Sequence, residues 1–365
     1  MDAQQFCRRG GTVSTGALQT SSSLEALLPA LGKADSHIVG EDLVRDVLRS
    51  RFGFGGAFSA LSAERDQNYR VSDTAGKSLV FKIFGAAQPP QEAELLAAVL
   101  AYLEQRAPGL PVPRLAANAA GQAITHFVDE AGRERAAIAY SFLDGVPAFS
   151  AERSPRQHRH CGTLLGELAI ALEGFSHPYM HRPLIWDLRH LLELRLLMPQ
   201  IQTLHFADFV ESFLERYSRS VSPRLAQLPR RFVHNDMNGG NIIVDPDDPA
   251  RITGIIDFGD AIHTYRIADV AVGVVGQLST AESAPDAMHE FVTAYRKKNP
   301  LDEHEVALLP WLVAGRIVQN LILTSWYRQQ NPDGAHFAAF GREFFEWRIV
   351  FAQGLALQAD GDFLI

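Results

Sequence analysis

The sequence predicts an α+β protein in which an antiparallel strand region is followed by a larger, mainly helical part. Three observations carry this. Residues 55–84 read as a strand meander, and in its last strand Leu79, Phe81 and Ile83 alternate with Ser78, Val80 and Lys82. Apolar residues recur at helical spacing in 91–107 and through most of the chain beyond about residue 150. The 365 residues are enough for two domains or two lobes sharing a cleft.

Composition narrows the function classes. The chain is 47% hydrophobic and 21% charged, ordinary for a globular protein. A formal net charge of −8 argues against a nucleic-acid binder, which needs a basic surface, and suits a cationic small molecule. No apolar run is expected to approach the roughly 18–20 residues of a membrane span. Cys7 and Cys161 lie far apart, so a disulfide framework is not expected and a cytoplasmic setting is.

In chain order, residues 1–40 are Ser/Thr/Gly/Ala-rich with a modest apolar patch at 24–32, and read as a flexible extension without a secretory signal. Residues 41–53 place Leu43, Val44, Val47 and Leu48 on one face of a short helix ending at Gly53. The strand meander follows. Lys82 then lies on the face opposite Phe81. Pro89 and Pro90 precede a helix over 91–107, with Glu92 and Glu94 in its first turns, where acids favour the helix dipole. A Pro-rich linker at 109–115 leads to a second strand pair, and the run 136–143 ends at Asp144-Gly145. Residues 154–175 form a core helix. Its His158 and His160 lack a second ligand pair nearby and read as surface residues. Two or three packed helices close the chain, the last over about 335–357.

The chemistry concentrates in 232–260, FVHNDMNGGNIIVDPDDPARITGIIDFGD. His234, Asp236 and Asn241 reproduce the H-x-D-x-x-x-x-N spacing of a phosphoryl-transfer loop, and Asp257-Phe258-Gly259 follows as D-F-G. Such transfer needs a carboxylate to position and deprotonate the attacking hydroxyl. It also needs an amide oxygen and a second carboxylate to hold the magnesium ions that neutralise the triphosphate. The apolar runs at 232–234, 241–244 and 252–257 read as short strands that bring Asp236, Asn241 and Asp257 together.

Two other motifs fail on context. Gly76-Lys77-Ser78 lacks the glycine a P-loop requires at Val71, and it opens a strand rather than a helix. The glycine cluster at 53–56 does not have G-x-G-x-x-G spacing and reads as a turn.

At HNDMNGGN and IDFGD the sequence resembles the aminoglycoside phosphotransferase and choline-kinase-like superfamily. Asp66-Gln67-Asn68, the Lys82 strand, the Glu94 helix, and Gly174-Phe175-Ser176-His177-Pro178 leading to Ile185-Trp186-Asp187-Leu188 resemble its hydroxylysine kinase group. The resemblance covers about residues 41–350 and implies a two-lobed, protein-kinase-like fold: an N-lobe over 41–143, a C-lobe over 144–365, and the extension 1–40 outside both. It implies Mg2+ and ATP or GTP as donor, with Lys82 on the phosphates and paired to Glu94. Backbone groups at Ser141, Phe142 and Leu143 would meet the base. Asp236, with His234 in the catalytic loop, would act as base, and Asn241 and Asp257 as metal ligands. Asp269 matches the family's buried brace of the catalytic loop.

The acceptor implied is a cationic or zwitterionic metabolite, 5-hydroxylysine first, with an aminoglycoside, homoserine or choline as alternatives. Asp260 and Asp187 would meet ammonium groups, Arg316 a carboxylate, and Trp186 would form a wall. Asn235 stands where the family has glycine, and asparagine tolerates left-handed backbone. That departure, with a cover loop at 62–65 that is not glycine-rich, motivates an alternative reading as a catalytically weak nucleotide-binding pseudokinase.

Overall fold

The computed structural model describes residues 38–61, 66–73, 76–201, 206–330 and 340–359. The apolar patch at 24–32, the cover loop at 62–65 and the beginning of the last expected helix lie outside these. Helix α1 (Glu41–Phe52) buries Val44, Val47 and Leu48. It stops at Gly53, whose φ of 66° is left-handed backbone that glycine adopts without a Cβ penalty.

Strands β1 (Ala57–Leu61), β2 (Gln67–Ser72) and β3 (Ser78–Ile83) form the expected antiparallel meander, continued by β6 (Glu134–Ser141). Strands β4 (Leu115–Ala116) and β5 (Ile124–Val128) both pair with β6. Alternation sorts the two faces. Leu79, Phe81 and Ile83 join Val44, Val47 and Leu48 in one cluster, so α1 covers that face. On the other face, Ile138 packs into the larger core with Leu96, Val99 and Leu100 of α2 (Pro90–Arg106). Lys82 pairs in register with Ile138 and therefore shares this inner face.

The connection out of β6 presses onto a three-stranded sheet of β7 (Val146–Pro147), β9 (Ile242–Val244) and β10 (Ile252–Ile255). Gly145 has φ 139°, and a Cβ there would lie 2.4 Å from Val244 O, so only glycine fits this close approach. Strands β8 (Arg230–Val233) and β11 (Ile262–Tyr265) form a two-stranded ribbon. Most of the remaining described residues are helical, in α3 (Pro155–Ala171), α4 (Ala207–Ser220), α5 (Arg266–Gln277), α6 (Ala284–Lys298), α7 (Glu303–Gln330) and α8 (Arg342–Ala359). An antiparallel sheet with its helix, followed by a mainly helical part, is the two-lobed α+β architecture expected.

Two expectations need correction. Helix α7 is long and apolar enough to cross a membrane by length and composition, with a mean hydropathy of 1.7 over its most apolar 18 residues. The reading that no run approaches a span is therefore wrong. Of that window, 83% is buried inside the fold, the signature of a core helix packed on all sides. His158 is not a surface residue. It is 4% exposed, its Nδ1 lies 3.2 Å from Oε1 of Gln277, and burial lowers its pKa.

Candidate active site

The loop between β8 and β9 is held by its own polar side chains. Asn238 Oδ1 accepts from the N–H groups of Gly240 (2.7 Å) and Asn241 (3.3 Å), which tightens the turn. Its Nδ2 donates to Asp236 Oδ1 at 2.9 Å. Asn241 Nδ2 donates to Asp236 Oδ2 at 2.6 Å and to Asp236 O at 3.0 Å. The Asp236 carboxylate is thus fixed through both oxygens, and Arg316 Nη2 stands 3.8 Å from Oδ1.

Asn235 has φ 63°, so asparagine does adopt the left-handed backbone that the family's glycine position calls for. Its N–H donates to Oδ1 of the buried Asp269 at 2.7 Å, the brace expected there. His234, anticipated as a catalytic residue, is fully buried. Its Nδ1 accepts from Asp236 N–H at 3.2 Å, which leaves the proton on Nε2 for Ile256 O at 3.1 Å. It ties the loop to the chain leading into Asp257 and positions Asp236 rather than touching a reactant.

Asp257 is exposed, has φ 62°, and accepts from Gly259 N–H at 3.1 Å. Arg182 was not picked out from the sequence. It donates to Gly259 O at 2.6 Å and Ala261 O at 2.7 Å, gripping the chain on either side of the half-buried Asp260. The charges around the loop share one field. Burial, then Asp260 and Asp257, push the Asp236 carboxyl up to about 8, against the opposing pull of Arg316 and Asn238. Burial keeps His234 below the usual imidazole value and so neutral.

Lys82 reaches this field from β3. Burial works to lower its pKa, but Asp66, then Asp257 and Tyr140, outweigh it and hold the ammonium above the ordinary lysine value. Its ion-pair partner is Asp66, immediately before β2. The Lys82–Glu94 pair anticipated from the sequence is not formed. Glu94 is exposed on α2, on a side of the helix that Leu95 and Leu96 leave to solvent. The β2–β3 register sets Asn68 opposite Lys82, which leaves Asp66 within reach.

At the 141–143 connection, Ser141 N–H donates to Arg114 O at 2.8 Å and Phe142 N–H to Ser78 O at 3.1 Å. Of the three residues named for the base, the first two have their N–H groups committed to neighbouring strands, and Leu143 lies beyond the sheet.

The remaining acceptor candidates divide. Asp187 is fully buried; it accepts from Thr264 Oγ1 (2.7 Å) and from Arg189 N–H (3.0 Å), and pairs with the Arg189 guanidinium. Both oxygens are spent inside the fold, so it is not an ammonium partner. Arg316 is 6% exposed and donates to Trp186 O at 2.8 Å and Gln319 Oε1 at 2.9 Å. It serves Asp236 in this structure, not a free carboxylate. Trp186 is half-buried, stacks on Tyr327 at 6.4 Å between centroids, and carries the Arg316 guanidinium 5.2 Å above its ring.

Asn241 and Asp257 supply hard oxygen donors, the kind magnesium takes. With its Nδ2 committed to Asp236, Asn241 presents the oxygen of its amide, which suits a cation. Among the described residues no group of three or more His, Cys, Asp or Glu could hold a metal. Two protein ligands are nonetheless what magnesium needs when phosphates and water complete its shell.

The comparisons with known proteins agree with this chemistry. Residues 58–309 match the family model described as "Phosphotransferase enzyme family". The chain is 25% identical over 314 residues to hydroxylysine kinase of Mus musculus, covering 80% of this chain and 83% of that protein. It is 28% identical over 236 residues to homoserine kinase of Rhodopseudomonas palustris strain TIE-1, covering 62% and 66%. Among solved structures, an amicoumacin kinase in complex with AMP-PNP and Ca2+ superposes with a TM-score of 0.65 at 18% identity, covering 87% of this chain and 93% of that one.

Proposed function

The chain belongs to the phosphotransferase enzyme family, and we propose that within it this protein transfers the γ-phosphoryl group of ATP or GTP to a hydroxyl of an amine- or amino-acid-like metabolite, 5-hydroxylysine before others. That it is a small-molecule phosphotransferase with a hydroxyl acceptor follows from the family and its kinase relatives. The observation that supports phosphoryl transfer to a hydroxyl is the Asp236 carboxylate, fixed by Asn238 and Asn241 and set in a field shared with Asp257, Asp260 and Arg316.

In this reading Asp236 orients the acceptor hydroxyl and takes its proton, while Asn238, Asn241 and His234 keep the carboxylate in place. Asn241 and Asp257 would hold Mg2+, which when bound neutralises charge on the triphosphate. Lys82 would exchange Asp66 for nucleotide phosphate. Asp260 would meet an acceptor ammonium, and Trp186 would wall the acceptor side.

Hydroxylysine is preferred because the chain resembles hydroxylysine kinase over more of its length than homoserine kinase. Homoserine, an aminoglycoside or choline would use the same catalytic loop. Of the two features that motivate the pseudokinase alternative, Asn235 keeps the left-handed conformation, and the cover loop at 62–65 lies outside the described residues.

The test offers purified protein 5-hydroxylysine, homoserine, choline and an aminoglycoside, each with ATP and with GTP, and follows nucleoside diphosphate release. Turnover confined to 5-hydroxylysine supports the proposal. Turnover on another acceptor replaces the substrate and keeps the chemistry.

A further inference from the structure

The β8–β11 ribbon that delivers the catalytic loop also borders a separate cleft of about 420 Å³. Its lining includes Glu173, Phe175, Arg230, Arg231, Phe232 and His263. None of these belongs to the site around Asp236. The cleft gathers positive charge on a chain whose net charge is −8.

Arg230 and Arg231 are exposed, and among the described residues neither has an acidic partner. Arg230 donates to Tyr265 Oη at 3.3 Å, and Arg231 to Arg230 O at 2.9 Å, which orders both side chains without neutralising them. The His181 ring lies 4.6 Å from the His263 ring. Glu173 is the one acid in the lining; its carbonyl accepts from Tyr102 Oη at 2.6 Å. Burial and then the neighbouring positive groups, His181, Arg189, Arg230 and Arg231, hold His263 below its ordinary pKa. Its ring therefore stays neutral and meets an anion as a hydrogen-bonding group, while the two arginines carry the charge.

We propose that this cleft binds a compact phosphate dianion, held by the guanidinium groups of Arg230 and Arg231 and by the His263 ring. Arginine suits the task because its planar fork matches phosphate oxygens. The position gives binding a route to the catalytic loop. Phe232 lines the cleft two residues before His234, and its ring lies 4.5 Å from Phe175. Phe175 in turn meets Tyr102 of α2 at 5.4 Å. An anion here would join the helix behind the Lys82 sheet to the strand that leads into the Asp236 loop. The inference does not depend on which acceptor the enzyme uses.

The experiment labels the histidine rings of the full chain with carbon-13 and follows them by NMR. Mg2+ and AMP-PNP are present to fill the nucleotide site. Inorganic phosphate and, separately, phosphoethanolamine are titrated at fixed pH and ionic strength, with chloride as the control. His263→Asn assigns the resonance, and the Arg230→Ala/Arg231→Ala pair removes the proposed fork. The expected result is a saturable shift of His263 with phosphate and none with chloride, weakened at least about tenfold in the double variant. Tighter binding of phosphoethanolamine would mark an aminoalkyl phosphate monoester as the source, and equal binding inorganic phosphate. A non-saturating shift, or one the double variant leaves unchanged, overturns the proposal. The double variant's turnover without added phosphate should match the wild type, which guards against misfolding.

Discussion

Asn235 donates its backbone N–H to Asp269 across 2.7 Å while holding φ at 63°, so one residue serves both the turn and the brace of the catalytic loop. Its side chain gains nothing from this arrangement: both amide atoms are buried without a hydrogen-bond partner among the described residues. A buried unsatisfied amide costs about 1–3 kcal/mol, and left-handed backbone costs a residue with a Cβ roughly 1–2 kcal/mol. Asn235→Gly should therefore be more stable than Asn235→Ala by about 1 kcal/mol in denaturant unfolding. Equal stability of the two variants would contradict the backbone assignment.

Asp269 itself makes a pH prediction. Burial raises its carboxyl to about 7, against the opposing hydrogen bonds from the N–H groups of Asn235 and His234. A carboxyl whose pKa is higher in the folded than in the unfolded chain favours folding most when protonated, and that contribution is lost as pH rises from the unfolded value through the folded one. Between pH 6 and 8 the wild type should lose on the order of 1 kcal/mol relative to Asp269→Asn, whose side chain does not titrate. Parallel stability profiles of the two proteins would sink this account of Asp269.

The Lys82 pair separates two readings of the nucleotide side. The Asp66 and Lys82 side chains are only 11% and 7% exposed, and removing one partner of a buried ion pair costs about 3–5 kcal/mol. Asp66→Ala should lower unfolding free energy by roughly 3 kcal/mol in the nucleotide-free protein. Glu94→Ala should stay within about 0.5 kcal/mol of the wild type, as an exposed substitution does. The reverse order would restore the Lys82–Glu94 pair.

What the sequence made legible follows from how locally each feature is encoded. Asp236, Asn241 and Asp257 lie within 22 positions on short strands joined by tight turns, so their spacing alone brings them together. The left-handed Asn235 was legible through the resemblance, which has glycine at that position. The Asp66 partner of Lys82 was not legible from the helix acids, because it is fixed by the β2–β3 register that sets Asn68 against Lys82. Asp187 and Arg316 could not be placed from sequence. Each is defined by contacts with distant elements, Thr264 in one case and Trp186 O with Asp236 in the other. Arg182 carries no motif at all; its partners are backbone carbonyls 77 and 79 positions away.

Arg316 supplies a kinetic prediction. The base must be ionised, so kcat/KM should rise with pH along an acid limb set by Asp236. Arg316 favours the carboxylate while Asp260 and Asp257 oppose it. Arg316→Met should move that limb to higher pH by about one unit or more, with KM for nucleotide little changed. An unmoved limb would show that another group controls it.

The central claim is that Asp236 acts on the acceptor hydroxyl. The direct measurement is nucleoside diphosphate release from the wild type and Asp236→Asn with saturating nucleotide, Mg2+ and the acceptor found by the screen, together with nucleotide affinity for each. The account predicts a loss in kcat of about 100-fold or more with nucleotide affinity nearly intact. Near-normal kcat in Asp236→Asn would contradict it.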